Sequence, residues 1–245
     1  NSRFMVKLQD FGQKLGTNKF LSALQGAMMS MMGVLMVGAV FQIICAIGPM
    51  LGVFENGDTI YNFLYMPYNY TMNCLSVWIV VVMAYTYAKN LKMKSPLITA
   101  VDSTVCFLVA TGAFMALENG TTALNMSFLG ASGMFTGFLV VFVVIHVEKF
   151  CADKNIRIRM PDVCPPFLVD GFSSILPLLF NVVIFMIISF GISSVSGGAL
   201  NLASGIMAVL AAPLSVLVSV PGMFIIGIFA SLLWCFGIHG TMIVY

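Results

Sequence analysis

Among the side chains able to do chemistry, His239 stands apart. From Gly171 to Tyr245 the chain has no Asp, Glu, Lys or Arg, and His239 is the single ionisable group there apart from cysteine and tyrosine. It lies in the run Leu233-Trp234-Cys235-Phe236-Gly237-Ile238-His239-Gly240. Glycines at 237 and 240 let backbone bend or approach closely. A neutral imidazole has one donor and one acceptor nitrogen. In apolar sequence it needs a partner, which either an uncharged polar ligand or a neighbouring helix can supply, and both readings stand. Asp102 follows Ser95-Pro96 by about two turns. It reads either as a proton or ion relay or as a shallow helix-start carboxylate favoured by the helix dipole and nearby lysines, and the second is preferred. His146, beside Glu148 and Lys149, reads as a structural interfacial histidine.

Other chemistries find no support in the residue pattern. The six cysteines, at 45, 74, 106, 151, 164 and 235, form no CxxC pair and no metal-ligand spacing with histidine. No disulfide, metal or cofactor is assigned. There is no phosphate-binding glycine loop, no dinucleotide fingerprint and no nucleophile triad, so no catalytic residue is assigned either. Tyr61, Tyr65, Tyr68 and Tyr70 suit an interfacial aromatic belt better than a sugar-stacking platform.

The elements that must hold these residues are membrane spans. Of 245 residues, 60% are hydrophobic and 8% are charged, with a mean hydropathy of +1.03. Soluble domains carry about 25% charged residues. The composition excludes a soluble enzyme, a nucleic-acid-binding domain and a disordered chain. At roughly 20 residues per span the length allows about five to seven spans. All eleven Lys and Arg fall in three groups: Arg3 to Lys19, Lys89 to Lys94, and Lys149 to Arg159. The gaps between them hold Glu55, Asp58 and Glu118. The positive-inside rule then puts the N-terminus and both later groups on the cytoplasmic side of the bilayer.

Apolar positions Phe4, Leu8, Phe11 and Leu15 predict a basic amphipathic helix over 3–19, lying on the inner leaflet. Spans are predicted at 26–47 (stopped by Gly48-Pro49), 69–88, 96–117, 128–147 and 172–195. Small residues Gly33, Gly38 and Ala39 in the first suit close helix contact. Residues 48–68 are expected to form an outer loop turning at Asn56-Gly57-Asp58, and 148–170 a cytoplasmic connector whose Pro161 and Pro165-Pro166 oppose a helix. A Gly/Ser/Asn-rich break covers 193–204. Residues 205–219, with Pro213, are expected to make a tilted, interfacial or broken helix. Since Thr241 to Tyr245 is apolar and the first residue is Asn, the sequence reads as a fragment of a longer chain.

Three stretches carry a resemblance. Trp234-Cys235-Phe236-Gly237-Ile238-His239-Gly240 resembles W-x-F-G-I-H-G. Met160-Pro161-Asp162-Val163-Cys164-Pro165-Pro166, followed by Phe172-Ser173-Ser174-Ile175-Leu176-Pro177, is similar to M-P-x-x-V-P-P and S-F-x-x-L-I-P. Tyr68-Asn69-Tyr70-Thr71 is a weaker third. All three resemble the IIC permease of the bacterial sugar phosphotransferase system, lactose/cellobiose/diacetylchitobiose type. Three positions depart from the family pattern: Asp170 where relatives carry a basic residue, Cys164 in place of valine, and Leu24-Gln25-Gly26 in place of a basic residue before the first span.

The resemblance implies an all-α, polytopic membrane helical bundle: here about six transmembrane helices of a larger permease, multi-pass in the bacterial cell membrane with its N-terminus cytoplasmic. Residues 1–198 would form the five-span scaffold that dimerises, and 199–245 the start of the sugar-binding transport domain. His239, with Gly240 and Trp234, would bind a disaccharide such as cellobiose, chitobiose or lactose. The family's partner glutamate has no counterpart in these residues. Phosphorylation would fall to a IIB partner that carries a phosphocysteine and docks on the cytoplasmic face. The implied partners are therefore sugar, IIB, a second copy of the chain and lipid, with no nucleic acid. The alternatives are a proton-coupled secondary transporter using Asp102 and a non-transporting membrane scaffold.

Overall fold

Asn18 opens the first helix: its side-chain oxygen accepts from the backbone N–H groups of Phe20 at 2.9 Å and Leu21 at 3.4 Å. Helix starts leave such donors without intrahelical partners. The computed structural model describes residues 18–112, 114–116, 120–158, 160–161, 164–217, 223–224 and 227–228. The amphipathic segment predicted over 3–19 lies outside these residues except at its last two positions. Helix α1 (Lys19–Ser30) and helix α2 (Met32–Met50) form one apolar rod of 32 residues, interrupted at Met31. The rod extends past the predicted limits of 26–47 at both ends. Pro49 sits at its penultimate position, where the missing N–H costs one hydrogen bond of a turn that ends there anyway.

The outer loop expected over 48–68 is mostly helix. Only 51–58 is irregular; α3 (Thr59–Thr71) carries Tyr61, Tyr65, Tyr68 and Tyr70 and leads into α4 (Leu75–Asn90), a second rod of 32 residues, Thr59–Asn90. Local polar bonds explain the early start. The Glu55 N–H donates to Asp58 Oδ2 at 2.8 Å, and Asn62 Nδ2 donates to the Gly57 carbonyl at 3.0 Å. Polar Tyr and Asn side chains lowered the hydropathy of this stretch without lowering its capacity to form a helix.

Helix α5 (Pro96–Thr111) begins at Pro96, as the sequence predicts. It ends at Gly112, whose φ of 58° is the left-handed cap that glycine favours, short of the predicted 117. An antiparallel hairpin follows, β1 (Phe114–Ala116) on β2 (Thr122–Leu124), pairing Phe114 with Leu124 and Ala116 with Thr122. Strands of three residues leave no readable alternation, so the sequence did not predict them. A 3-10 turn at Ala131–Gly133 enters α6 (Met134–Asp153). Helix α7 (Pro166–Val195) keeps Pro177 inside it. Both helices invade the connector expected at 148–170, and Pro166 starts a helix rather than opposing one, because the first turn needs no proline N–H. Helix α8 (Leu202–Leu217) is helical through Pro213. Its start is capped reciprocally: the Ser204 N–H donates to Asn201 Oδ1 at 2.8 Å and the Asn201 N–H to Ser204 Oγ at 2.7 Å.

Among the described residues, four helices are long and apolar enough to cross a membrane, and two shorter apolar helices, Pro96–Thr111 and Leu202–Ala211, accompany them. This is the expected all-α bundle of about six. Helices α4, α5 and α6 pack mutually at its centre, α1 lies on α4, and α7 and α8 close the other side against α5 and α6. The core holds Met83, Phe107, Val140, Val144 and Phe185, with alanines 23, 27, 84, 88 and 110 between the helices. Gly137 lets α6 approach α4: a Cβ built there would stand 2.7 Å from Val80 Cγ2. Gly38 similarly faces Thr71 and Met72, whereas Gly33 faces open space. The outer faces of α2 (Met36, Val40, Ile43, Ile47) and α7 (Ile175, Leu179, Val183, Met186) are exposed and apolar. Such long apolar faces suit hydrocarbon.

Candidate functional site

Helices α4 and α6 stop and α5 and α7 start at one end of the bundle. Lys92 and Asn155, which follow α4 and α6, have φ of 57° and 55° and turn the chain sharply there. Asn90 Nδ2 donates to the Lys19 carbonyl at 3.3 Å, so α1 begins at this end too. The opposite end is tied by Ser76 Oγ to the Gly130 carbonyl at 2.5 Å and by Asn201 Nδ2 to the Thr111 carbonyl at 2.9 Å. Packing thus brings the described members of the three basic groups to a single end, as the charge pattern alone required.

A cavity of about 380 Å³ opens there between α5, α6, α7 and the two turns. Exposed Lys92, Lys94, Lys149 and Arg157 stand around it, with Asp153 and Asp170 among them. Ser173, Ser174 and Pro177 line the α7 side. Buried Thr99 and Glu148 also line it, and Thr99 Oγ1 donates to Glu148 Oε2 at 2.5 Å. Asp102, one turn along α5 from Thr99, lies beside Glu148, close enough for the two carboxyl groups to interact. Asp102 is 3% and Glu148 7% exposed. Asp102 Oδ2 and Glu148 Oε1 have no hydrogen-bond donor.

The preferred sequence reading of Asp102 gave no weight to burial. Asp102 is buried in the second turn of α5, past the first turn where the helix dipole acts, and beside it lies a second acid from another helix. Glu148 went unnoticed in the sequence as a functional candidate. The signal was its position in α6: Val144, Ile145 and Cys151, three or four residues away on either side, are buried with it, so its face points inward. His146 is exposed at the same end of α6. Its ring packs on Phe142 with centroids 4.1 Å apart, and Nδ1 lies 2.7 Å from the Phe142 carbonyl oxygen. Tyr61 and Tyr65 stack at 5.5 Å and 12°, and Tyr65 and Tyr68 lie 4.8 Å apart, so these rings pack on one another. Trp234, His239 and Gly240 lie outside the described residues.

The arrangement offers an acidic, hydrogen-bonded interior and a cationic mouth. The interior can hold a small cation or proton; the mouth can attract an acidic protein surface. Known proteins resemble this chain in sequence and in fold. It is 29% identical over 244 residues to the lactose-specific EIICB component of the phosphotransferase system of Streptococcus mutans, and 29% identical over 249 residues to that of Staphylococcus aureus. Each match covers 97% of this chain and 42% of the relative, so the chain spans about two fifths of their length. The crystal structure of the transporter ChbC, the IIC component of the N,N'-diacetylchitobiose-specific system, superposes with a TM-score of 0.79 at 25% identity. That match covers 99% of this chain and 59% of ChbC. The family model described as phosphotransferase system, EIIC matches residues 25–245. With nearly its whole length inside that match and its apolar helices arranged as in ChbC, this multi-pass membrane protein belongs to the EIIC family of the phosphotransferase system.

Proposed function

We propose that the full-length protein is the sugar-translocating permease of a phosphoenolpyruvate-dependent phosphotransferase system, and that it carries a disaccharide of the lactose, cellobiose or chitobiose kind. Membership of the EIIC family carries this reading, and the lactose-specific and diacetylchitobiose-specific relatives support the substrate class. Residues 1–198 act as the dimer-forming scaffold and 199–245 open the transport domain. His239, flanked by Gly240 and with Trp234 nearby, meets the sugar: its donor and acceptor nitrogens complement hydroxyl groups, and it can orient one oxygen for phosphoryl transfer. The phosphoryl donor is a IIB partner, as the EIICB composition of the relatives suggests.

The basic mouth faces the cytoplasm in the cell membrane, and IIB docks there, steered by complementary charge. The N-terminus is on the same side. In cells lacking other disaccharide uptake, the full-length protein with its IIB should deliver sugar phosphate in a phosphoenolpyruvate-dependent manner. Delivery of unmodified sugar, collapsing at once with an uncoupler, would instead mark a proton-coupled carrier. Orientation has its own test. A cysteine placed at Lys92 or Lys154, both exposed, should react with an impermeant maleimide only after the cells are permeabilised. Labelling in intact cells would invert the proposed topology.

A further inference from the structure

We propose that Asp102 and Glu148 form a proton-binding site, the two carboxyls holding one proton between them that exchanges with water in the cavity. The sugar-transport reading neither uses nor requires this site.

The pair joins two helices, Asp102 on α5 and Glu148 on α6, in the buried part of the bundle. Two ionised carboxylates in contact repel, and away from water nothing screens them. One shared proton removes the repulsion and makes a donor out of one oxygen. It also accounts for the two oxygens that lack a donor, Asp102 Oδ2 and Glu148 Oε1. Such a proton belongs to the pair rather than to either residue. Thr99 already donates to Glu148 Oε2 and fixes that side chain.

Among the described residues, the other groups that bear on the pair do not replace the proton. From α5 the Cys106 thiol, and from α6 the Cys151 thiol, are near enough to feel it, and both are neutral donors of little strength. From the turn after α4 come Lys92 and Lys94, from the end of α6 Lys149 and Asp153, from the following turn Arg157, and from α7 Asp170. Four of these six are cationic, and those four are exposed to water at the cavity mouth. Glu148 and Thr99 themselves line the cavity, which gives the proton a route to solvent.

Infrared spectroscopy of the purified full-length protein tests the site directly. At neutral pH a protonated-carboxyl stretch should be present, should shift in heavy water, and should fade reversibly as pH rises. Glu148→Gln and Asp102→Asn, each close in shape to the protonated acid, should remove it; Asp153→Asn and Asp170→Asn should leave it. A band that persists in Glu148→Gln or in Asp102→Asn, or that never titrates short of unfolding, overturns the proposal. So does thermal stabilisation by sodium over choline at equal ionic strength that is lost in Asp102→Asn, since a metal ion would then occupy the pair. If one variant does not fold, the other decides, and the wild-type band and its titration remain to be met.

Discussion

Replacing His239 with Ala in the full-length protein should weaken sugar binding by about a hundredfold or more. Each buried hydroxyl left without its partner costs about 1–3 kcal/mol, and a single imidazole can serve two. Titration calorimetry with a series of disaccharides reads the loss. His239→Asn or His239→Gln, which keep a donor and an acceptor in altered positions, should bind better than Ala yet below wild type. Unchanged affinity in His239→Ala would remove this residue from the site and leave the helix-bonding reading of it.

Gly137→Leu should destabilise the bundle by about 1–3 kcal/mol, the range for overpacked cores. The first added carbon already lies 2.7 Å from Val80 Cγ2, and leucine adds more beyond it. Valine cannot swing aside easily, because its branched Cβ restricts it to few rotamers. Helices α4 and α6 would have to separate, and the cavity end and the Thr99–Glu148 bond move with α6. Gly137→Ala should be milder, and pairing it with Val80→Ala should recover part of the loss in a double-mutant cycle. Gly33→Ala, with open space around it, should leave the melting temperature in detergent unchanged or higher. Gly137→Ala as harmless as Gly33→Ala would show that the close α4–α6 approach carries no cost, since helix propensity favours alanine over glycine at both positions.

How much was legible in the sequence depends on the kind of signal. Pro96 and the Lys89 to Lys94 group marked the start of α5 and the end of the bundle where the basic groups gather, because a helix-start proline and positive charge act locally. Glycine alone did not say which small residues matter: Gly38 faces Thr71 and Met72, while Gly33, five residues before it, faces nothing. The loop expected at 48–68 failed for a different reason. Hydropathy measures transfer to lipid, and Tyr61, Tyr65 and Tyr68 are helical yet only moderately apolar, held by stacking on each other.

By itself the sequence determined that the chain lives in a bilayer as a multi-pass helical bundle with its cationic turns on one side. Those properties sum over residues: apolar content per span and charge per turn need no knowledge of neighbours. Only the tertiary structure decided that Asp102 meets Glu148. The two are separated by the β1–β2 hairpin and most of α6, and nothing in local spacing brings them together. Their meeting follows from which faces of α5 and α6 pack, and that is set by the shapes of Val80, Phe107 and Gly137 across the core.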